Sequence, residues 1–595
     1  MSRGVEDYAL LGDGLTAALV SRSGSIDWLC WPRFDSDSCF TALLGGPEHG
    51  CWRLSPTAEI GATSRRYQSD SLVLETDFET AEGAVRLMDF MPAGHPHSSV
   101  VRLVVGLRGK VNMRSALRLR FDYGMTPPWL QKTDDGFVAW AGPDRVTLRT
   151  PAPVRLEDDD AQVSDFEVAA GARVAFVLTH TPSADKPPAP LDAEAALVST
   201  QSYWRDWIGR FDAGKTRWPE QLKRSLITLK ALIHRPTGGL VAAPTTSLPE
   251  APGGELNWDY RYCWLRDSTF TVGAFLNAGF TEEAREWRDW LLRAVAGVPG
   301  RMQIMYRIDG GRRLSEWKAE YLQGFRHAKP VRIGNAAAEQ TQIDVYGEVL
   351  DCFSLARKGG LPLGAHEEAA QIKIVEHLAR VWDNDGAGIW ESRGESRPYT
   401  YSKAVAWAGV DRVLRFLKSK GDNSHAHLIG RLEALRTRIH ETVCRDAWDE
   451  GLGSFTQYFG GLELDASLLL LPALGFLPAD DPRMKATIEA VQQGLGDNGF
   501  LRRKAAISGK PEEGAFLACS CWLADCLAAQ GRREEAQDVF QRVLGCANDL
   551  GLLSEEYDTR SKRLAGNFPQ ALTHLAVVNT GLGLSGWPLL QRGGG

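Results

Sequence analysis

Two hydrophobic periodicities divide the chain. Up to about residue 180, apolar positions recur every second residue in short runs. Ser71–Thr76 and Ala84–Phe90 flank an acidic, glycine-containing turn, which predicts a hairpin. Val100–Leu107 is an apolar run broken by Arg102. In Ser115–Tyr123, Leu117, Leu119 and Phe121 fall on one face and Arg118, Arg120 and Asp122 on the other. Arg173–His180 reads as a further strand. Many short strands between glycine- and proline-rich turns predict a β-sandwich, with the acidic run Glu157–Asp160 in a solvated loop.

The run T-P-S-A-D-K-P-P-A-P (Thr181–Pro190) cannot hold a helix and reads as a linker. Asp192 then suits the N-cap of a helix through Trp207. Beyond residue 218 the period turns helical, with Leu222, Leu226, Leu229 and Ile233 on one face, and Ala284, Trp287, Leu291 and Ala294 on another. G-x-x-E-E-A opens amphipathic segments at Gly279, Gly364 and Gly531. Its irregular spacing predicts a closed assembly of helical hairpins with long loops rather than a solenoid. The expected organisation is a β-sandwich domain over 1–180, a linker and linker helix over 181–217, and a helical domain over 218–595.

Composition narrows the function classes. At 595 residues the chain exceeds one ordinary core, and 44% hydrophobic with 24% charged residues reads as soluble and globular. A net charge of −7 offers no basic footprint for nucleic acid and no polybasic membrane patch. The start, M-S-R-G-V-E-D-Y-A-L-L, has no apolar core of a signal peptide, which places the expected compartment in the cytoplasm. Cys519, Cys521 and Cys526 lie on a helix-like apolar segment and read as buried free thiols. No Cys/His spacing fits zinc, and no Walker A or G-x-S-x-G sequence occurs. G-L-G-L-S-G (Gly581–Gly586) runs into Trp587-Pro588 rather than a helix, which excludes a dinucleotide fingerprint. Nineteen tryptophans fit either large cores or stacking platforms for sugar rings.

The candidate chemistry lies in four polar runs amid aromatics. In D-N-D-G-A-G-I-W-E-S-R-G-E-S-R (Asp383–Arg397), Glu391 follows Trp390 in a glycine-rich turn. A carboxyl group against an indole is partly desolvated and suited to give up a proton near neutral pH; the alternative is a solvated loop carboxylate. N-W-D-Y-R-Y-C-W-L-R-D-S (Asn257–Ser268) enters a helix, and its Arg266 and Asp267 could grip neighbouring sugar hydroxyls or form a structural ion pair with an N-cap. Lys329–Gln342 places Arg332 in a glycine-containing loop, and Leu552–Pro569 holds the adjacent carboxylates Glu555 and Glu556. Acetal hydrolysis needs a second carboxylate beside the acid.

In this order the motifs resemble the glucoamylase and trehalase family of glycoside hydrolases (family 15), over nearly the whole chain. The resemblance rests on Leu10–Ser36, W-L-R-D (Trp264–Asp267), P-V-R-I-G-N (Pro330–Asn335) and G-I-W-E (Gly388–Glu391). It extends through E-E-G-A-F (Glu512–Phe516), S-E-E-Y-D (Ser554–Asp558) and G-N-F-P-Q-A (Gly566–Ala571). It implies a multidomain fold, an N-terminal β-sandwich followed by an (α/α)6 barrel of helical hairpins. It also implies an inverting, exo-acting α-glucoside hydrolase with Glu391 as general acid and Glu555 as general base, their carboxyls roughly 6.5–9.5 Å apart. Arg266 and Asp267 match the pair holding the non-reducing glucose, Arg332 a further substrate-binding arginine, and Arg503 another, although Lys504 stands where an aromatic is common. Trp258, Trp264 and Trp390 complete the expected sugar site.

Two departures bear on the substrate. Ser392 and His327 stand where starch-cutting members carry a glutamate and a tryptophan, so a small glucoside such as trehalose is expected. Glucoamylase- or isomaltose-type specificity on short α-glucans is the alternative within this chemistry. A disaccharide phosphorylase or a non-catalytic sugar-binding protein is the alternative outside it. The expected partner is a small-molecule α-glucoside, with no nucleic acid, membrane, metal or cofactor; the oligomeric state and any phosphate or magnesium dependence are not legible.

Overall fold

The computed structural model describes residues 4–158, 160–364, 366–421, 424–505, 513–590 and 592. Asp159, Ala365 and Glu512, which belong to sequence runs named above, lie outside the described residues. Leu74–Thr80 (β1) and Gly83–Phe90 (β2) pair as the expected hairpin. The apolar runs on either side of residue 109 prove to be the two halves of a single 20-residue strand, Ser99–Arg118 (β3). Its first half pairs with β2 and with Arg173–Pro182 (β4), its second with Cys51–Pro56 and Ala161–Ala169, so one strand serves both layers of the sandwich.

The crossing falls where side chains are excluded. A Cβ on Gly106 would stand 2.0 Å from the Ala169 carbonyl oxygen, and Gly109 takes φ +65°. Arg102, the break in the apolar run, is fully buried and spends its donors on Asp89 and on the Trp52 and Gly24 carbonyls. The strand expected to reach Tyr123 stops at Arg118, because Asp122 and Tyr123 adopt positive φ and turn the chain. The run Glu157–Asp160 is also more than a solvated loop, since Glu157 and Asp160 pair with Arg114, Arg118 and Arg120.

The proline-rich run forms no helix and is laid along the sandwich, where Arg145 and Arg149 donate to the Asp185 and Pro188 carbonyls at 2.7 and 2.9 Å. Asp192 then caps Ala193–Ile208 (α1), accepting from the Glu194 and Ala195 amides.

The remaining helices alternate between an outer and an inner ring. In chain order they are Pro219–Ala231 (α2), Ser268–Asn277 (α3), Thr281–Ala294 (α4), Asp344–Lys358 (α5), Glu367–Val381 (α6), Thr400–Ser419 (α7) and Ala426–Asp446 (α8). Leu471–Leu474 (α9, entered through the 3-10 turn Ala466–Leu470), Pro482–Gly494 (α10), Leu517–Ala529 (α11), Arg533–Leu544 (α12) and Ala571–Leu584 (α13) follow. Contacts run α3–α5–α7–α9 and its 3-10 turn–α11–α13 and back to α3, closing an inner ring of six segments, while the others pack outside. Composition sorts the rings. Inner helices such as α11 and α13 are apolar on nearly every side, whereas outer α4 and α12 are amphipathic. Gly581 and Gly583 sit inside α13, away from any phosphate-binding turn.

The two ends of the barrel differ. Inner-to-outer turns are short, and the G-x-x-E-E-A echo marks three of them, before α4, α6 and α12. Outer-to-inner connections are long and carry every candidate polar run. At the short-turn end, Arg592 reaches into the barrel to pair with Glu348 and Asp351 of α5, at 3.1 and 2.7 Å, over the Phe270 ring. No helix among the described residues is long and apolar enough to cross a membrane.

Asp351 keeps Arg412 at 2.8 Å, but Arg592→Ala strips the paired cation from the fully buried Glu348, a loss on the order of 3–5 kcal/mol. Scanning calorimetry should show a lowered barrel transition; an unchanged transition would mean that Arg592 contributes nothing to the barrel's closed end.

Candidate active site

The site is assembled on one extended segment. Residues 257–264 are held extended by backbone bonds from Ser247 to Trp258, Ala243 to Tyr260 and Ala242 to Tyr262, and by pairing of Cys263–Trp264 with Met305–Tyr306. Extended backbone sends alternate side chains to opposite sides. Asn257, Asp259, Arg261, Cys263 and Leu265 are fully buried, whereas Trp258, Tyr260 and Arg266 are partly open.

The open face holds both candidate carboxylates. Tyr260 Oη donates to Glu555 Oε1 at 2.7 Å, and Trp264 Nε1 donates to Glu391 Oε1 at 2.6 Å. The two rings meet edge to face with centroids 5.2 Å apart. Arg266 Nη1 adds bonds to Glu391 Oε1 and to the Ile389 carbonyl, each 3.1 Å. One peptide segment therefore fixes the spacing of Glu391 and Glu555.

The buried face anchors that segment. Asp259 and Arg261 form a fully buried ion pair at 2.7 Å. Asp259 also accepts from the Gly334 amide and, through its carbonyl, from Asn335 Nδ2, which ties in the P-V-R-I-G-N loop. Arg261 reaches the Ser36 carbonyl and the Tyr123 hydroxyl of the sandwich. The left-handed turn at Asp122–Tyr123 thus serves the site.

Glu391 has φ +55°, a left-handed conformation that costs a non-glycine residue energy. Its amide donates to the Gly388 carbonyl, and Gln340 Nε2 clamps the carbonyls of Glu391 and Ser392, both at 3.2 Å. Contrary to the sequence expectation, the indole against Glu391 is Trp264. The Trp390 indole donates to Asp465 and lies beside Phe516 and Trp522. Burial raises the Glu391 pKa, while Arg266 and the Trp264 N–H pull it down. Its side chain keeps 17% of its exposure.

Glu555 sits in a crowd of carboxylates around Arg503. Phe516 pairs with Glu556 across a short ladder, and the Leu517 amide donates to the Glu555 carbonyl. Arg503 bonds Glu250 and, at 2.7 Å, Glu513, and its guanidinium lies over Trp390 and Phe516. It therefore joins the Glu391 loop to the Glu555 segment. Lys504, in place of an aromatic, reaches Glu513 at 3.7 Å and adds a second cation. Burial and then Glu250 push Glu555 up to about 8; burial, against Arg503, leaves Glu250 at about 7. Glu556 is raised well above the ordinary range, chiefly by burial, and Arg503 holds Glu513 low against its own burial. Oxygens of Glu250, Glu513 and Glu556 lie within 4.8 Å of one another, a spacing that could hold a cation, and here Arg503 bonds two of the three.

At the rim, Arg332 donates to the Glu255 and Asn257 carbonyls, and its guanidinium lies over Trp258. Arg266 and Asp267 bond to each other at 2.9 Å, and the Asp267 side chain does not cap α3. All nine residues singled out from the sequence thus fall in one connected set of contacts. His327 does not: it lines a 540 Å³ cavity between sandwich and barrel, with Tyr8, Asp27, Arg53 and Arg118. Tyr260, Gln340, Asp465, Glu250 and Glu513 belong to the set and were not singled out. For Tyr260 a signal existed in the alternation W-x-Y-x-Y-x-W; for Asp465 and Glu250 none did.

Comparison with known proteins places this geometry. Residues 219–582 match the model of glycosyl hydrolases family 15, and residues 1–179 that of a trehalase-like N-terminal region. A trehalase of Mycobacterium tuberculosis is 36% identical over 97% of this chain and 88% of its own length. A trehalase of Thermoplasma volcanium is 32% identical over 96% and 92%. The crystal structure of a bacterial glucoamylase complexed with acarbose superposes with a TM-score of 0.74 at 12% identity, covering 99% of this chain and 95% of that one, a likeness of fold. With motifs, architecture and full-length relatives in agreement, the chain belongs to glycosyl hydrolases family 15.

Proposed function

We propose that the chain hydrolyses α,α-trehalose with inversion, releasing β-glucose from the cleaved ring. The observation that carries the proposal is the placement of Glu391 and Glu555 at the two ends of the Tyr260–Trp264 pair. Glu391, mostly shielded from water and its pKa raised, donates its proton to the glycosidic oxygen as the bond to the anomeric carbon breaks. Glu555 takes a proton from water, whose oxygen attacks that carbon from the opposite face. Arg266 and Asp267 hold the ring being cleaved, and the second glucose leaves with the proton from Glu391. The full-length trehalase relatives support trehalose over longer glucans. A base opposite the acid favours water over phosphate as the nucleophile.

For Glu555 to act as base, its proton must rest elsewhere in the cluster, and Glu250 and Glu556, both buried, are the holders. The carboxylates then titrate as a unit. Activity should fall, as pH drops, at a higher pH than an ordinary glutamate would give.

Glu391→Gln should slow trehalose cleavage about a hundredfold or more while sparing α-glucosyl fluoride, whose leaving group needs no proton. Glu555→Gln should lose both. Near-wild-type rates on trehalose in either variant would remove that residue from its role.

A Glu250→Gln change removes a carboxylate that, whenever it is ionised, opposes ionisation of Glu555. The Glu555 pKa then falls, so the acid limb of the kcat/KM profile should move to lower pH. An unmoved limb, or one displaced upward, would contradict the shared-proton account.

A further inference from the structure

The loop that carries Glu391 also carries Arg393, which the chemistry above leaves unused. Arg393 makes a forked pair with Glu316, Nη1 to Oε1 at 3.0 Å and Nη2 to Oε2 at 2.6 Å. Its guanidinium lies 4.0 Å from the Trp258 ring centroid, and that of Arg332 lies 4.3 Å from the same centroid. Glu316 is fixed independently, accepting from the Ala336 amide at 3.0 Å and facing Arg332 Nε at 3.4 Å. Two cations, one carboxylate and one indole therefore form a rigid unit beside the acid. Arg393 is its open member, its side chain 37% exposed against 13% for Glu316.

Direction follows from the acid. Glu391 must stand at the glycosidic oxygen, between the ring that is cleaved and the ring that leaves. Arg266 and Asp267 occupy one side of it, through Arg266 Nη1 and the Ile389 carbonyl. Ser392 and Arg393 follow Glu391 directly in the same loop, where Gln340 Nε2 holds the Glu391 and Ser392 carbonyls. Ser392 offers a short hydroxyl there, so the groups able to hold a leaving sugar are the donors of Arg393 and Arg332 and the edge of Trp258. The bonds to Glu316 leave Arg393 with further N–H donors in a fixed plane.

We infer that Arg393, oriented by Glu316 beside Arg332 and Trp258, binds the leaving glucose and sets which α-linkage is cut; this rests on the hydrolytic reading above. A ring joined through its anomeric carbon and one joined through another hydroxyl present different hydroxyl arrays to that plane. A site built to bond such hydroxyls discriminates strongly among them.

The test compares wild type with Arg393→Ala and Arg393→Lys on trehalose, maltose and isomaltose, with α-glucosyl fluoride as a substrate lacking a leaving sugar. Arg393→Ala should raise KM on the favoured disaccharide and change the ratio of kcat/KM between linkages by about tenfold or more. Arg393→Lys should restore part of it, and the fluoride rate should stay within about threefold of wild type. If Arg393 only pinned the acid loop, every disaccharide would fall by the same factor and the ratio would hold; that result, or no change at all, overturns the inference. A wild type that leaves trehalose intact while cutting another linkage contradicts the trehalose reading instead, and the ratio between the linkages it does cut still decides for Arg393.

Discussion

The buried Asp259–Arg261 pair is the constraint on which the site depends. A charged pair out of water is tolerable only when its other hydrogen-bonding positions are filled, and removing one partner costs about 3–5 kcal/mol. Here the filling comes from three places: the segment's own backbone, the loop at Gly334–Asn335, and the sandwich through Ser36 and Tyr123. Satisfying the pair forces the three bodies into one arrangement. In that arrangement the residues alternating with it, Tyr260, Trp264 and Arg266, meet Glu555 and Glu391. The sandwich thereby helps to build the proposed site, although no sandwich residue among those described bonds to either glutamate.

The barrel gathers the remaining groups. Every long connection enters the N-terminus of an inner helix or segment, so the polar runs gather at one rim, where helix dipoles favour negative charge. Even there, the site holds more carboxylates than its cations neutralise. Arg266 answers Glu391, while Arg503 and Lys504 face four carboxylates at once, Glu250, Glu513, Glu555 and Glu556. Retained protons are the physical outcome. Held on Glu250 and Glu556, they would leave Glu555 ionised for the proposed base role, while burial raises Glu391 for the proposed acid role.

Much of this was legible in the chain. The change of period near residue 180, the Asp192 cap and the echo at the short turns gave the architecture, because each is a local consequence of backbone geometry. The β3 crossing was not legible, since the glycines that permit it look like ordinary turn residues. In the site, Glu391, Glu555, Arg266 and Arg332 stood out as polar residues in aromatic surroundings. The indole paired with Glu391 was misassigned to its neighbour Trp390, because sequence adjacency does not report which way a side chain turns. Glu250, Asp465 and Glu316 reach the site from elsewhere in the chain, and no local pattern announces such contacts.

In the proposed reaction Glu391 and Glu555 work from opposite faces of one anomeric carbon. Proton NMR of a fresh trehalose digest, read before mutarotation, distinguishes this arrangement from a retaining one. Inversion predicts equal amounts of α- and β-glucose at first, the β-anomer from the cleaved ring and the α-anomer from the leaving ring. Release of both rings as α-glucose would mean that configuration is retained and would contradict the account.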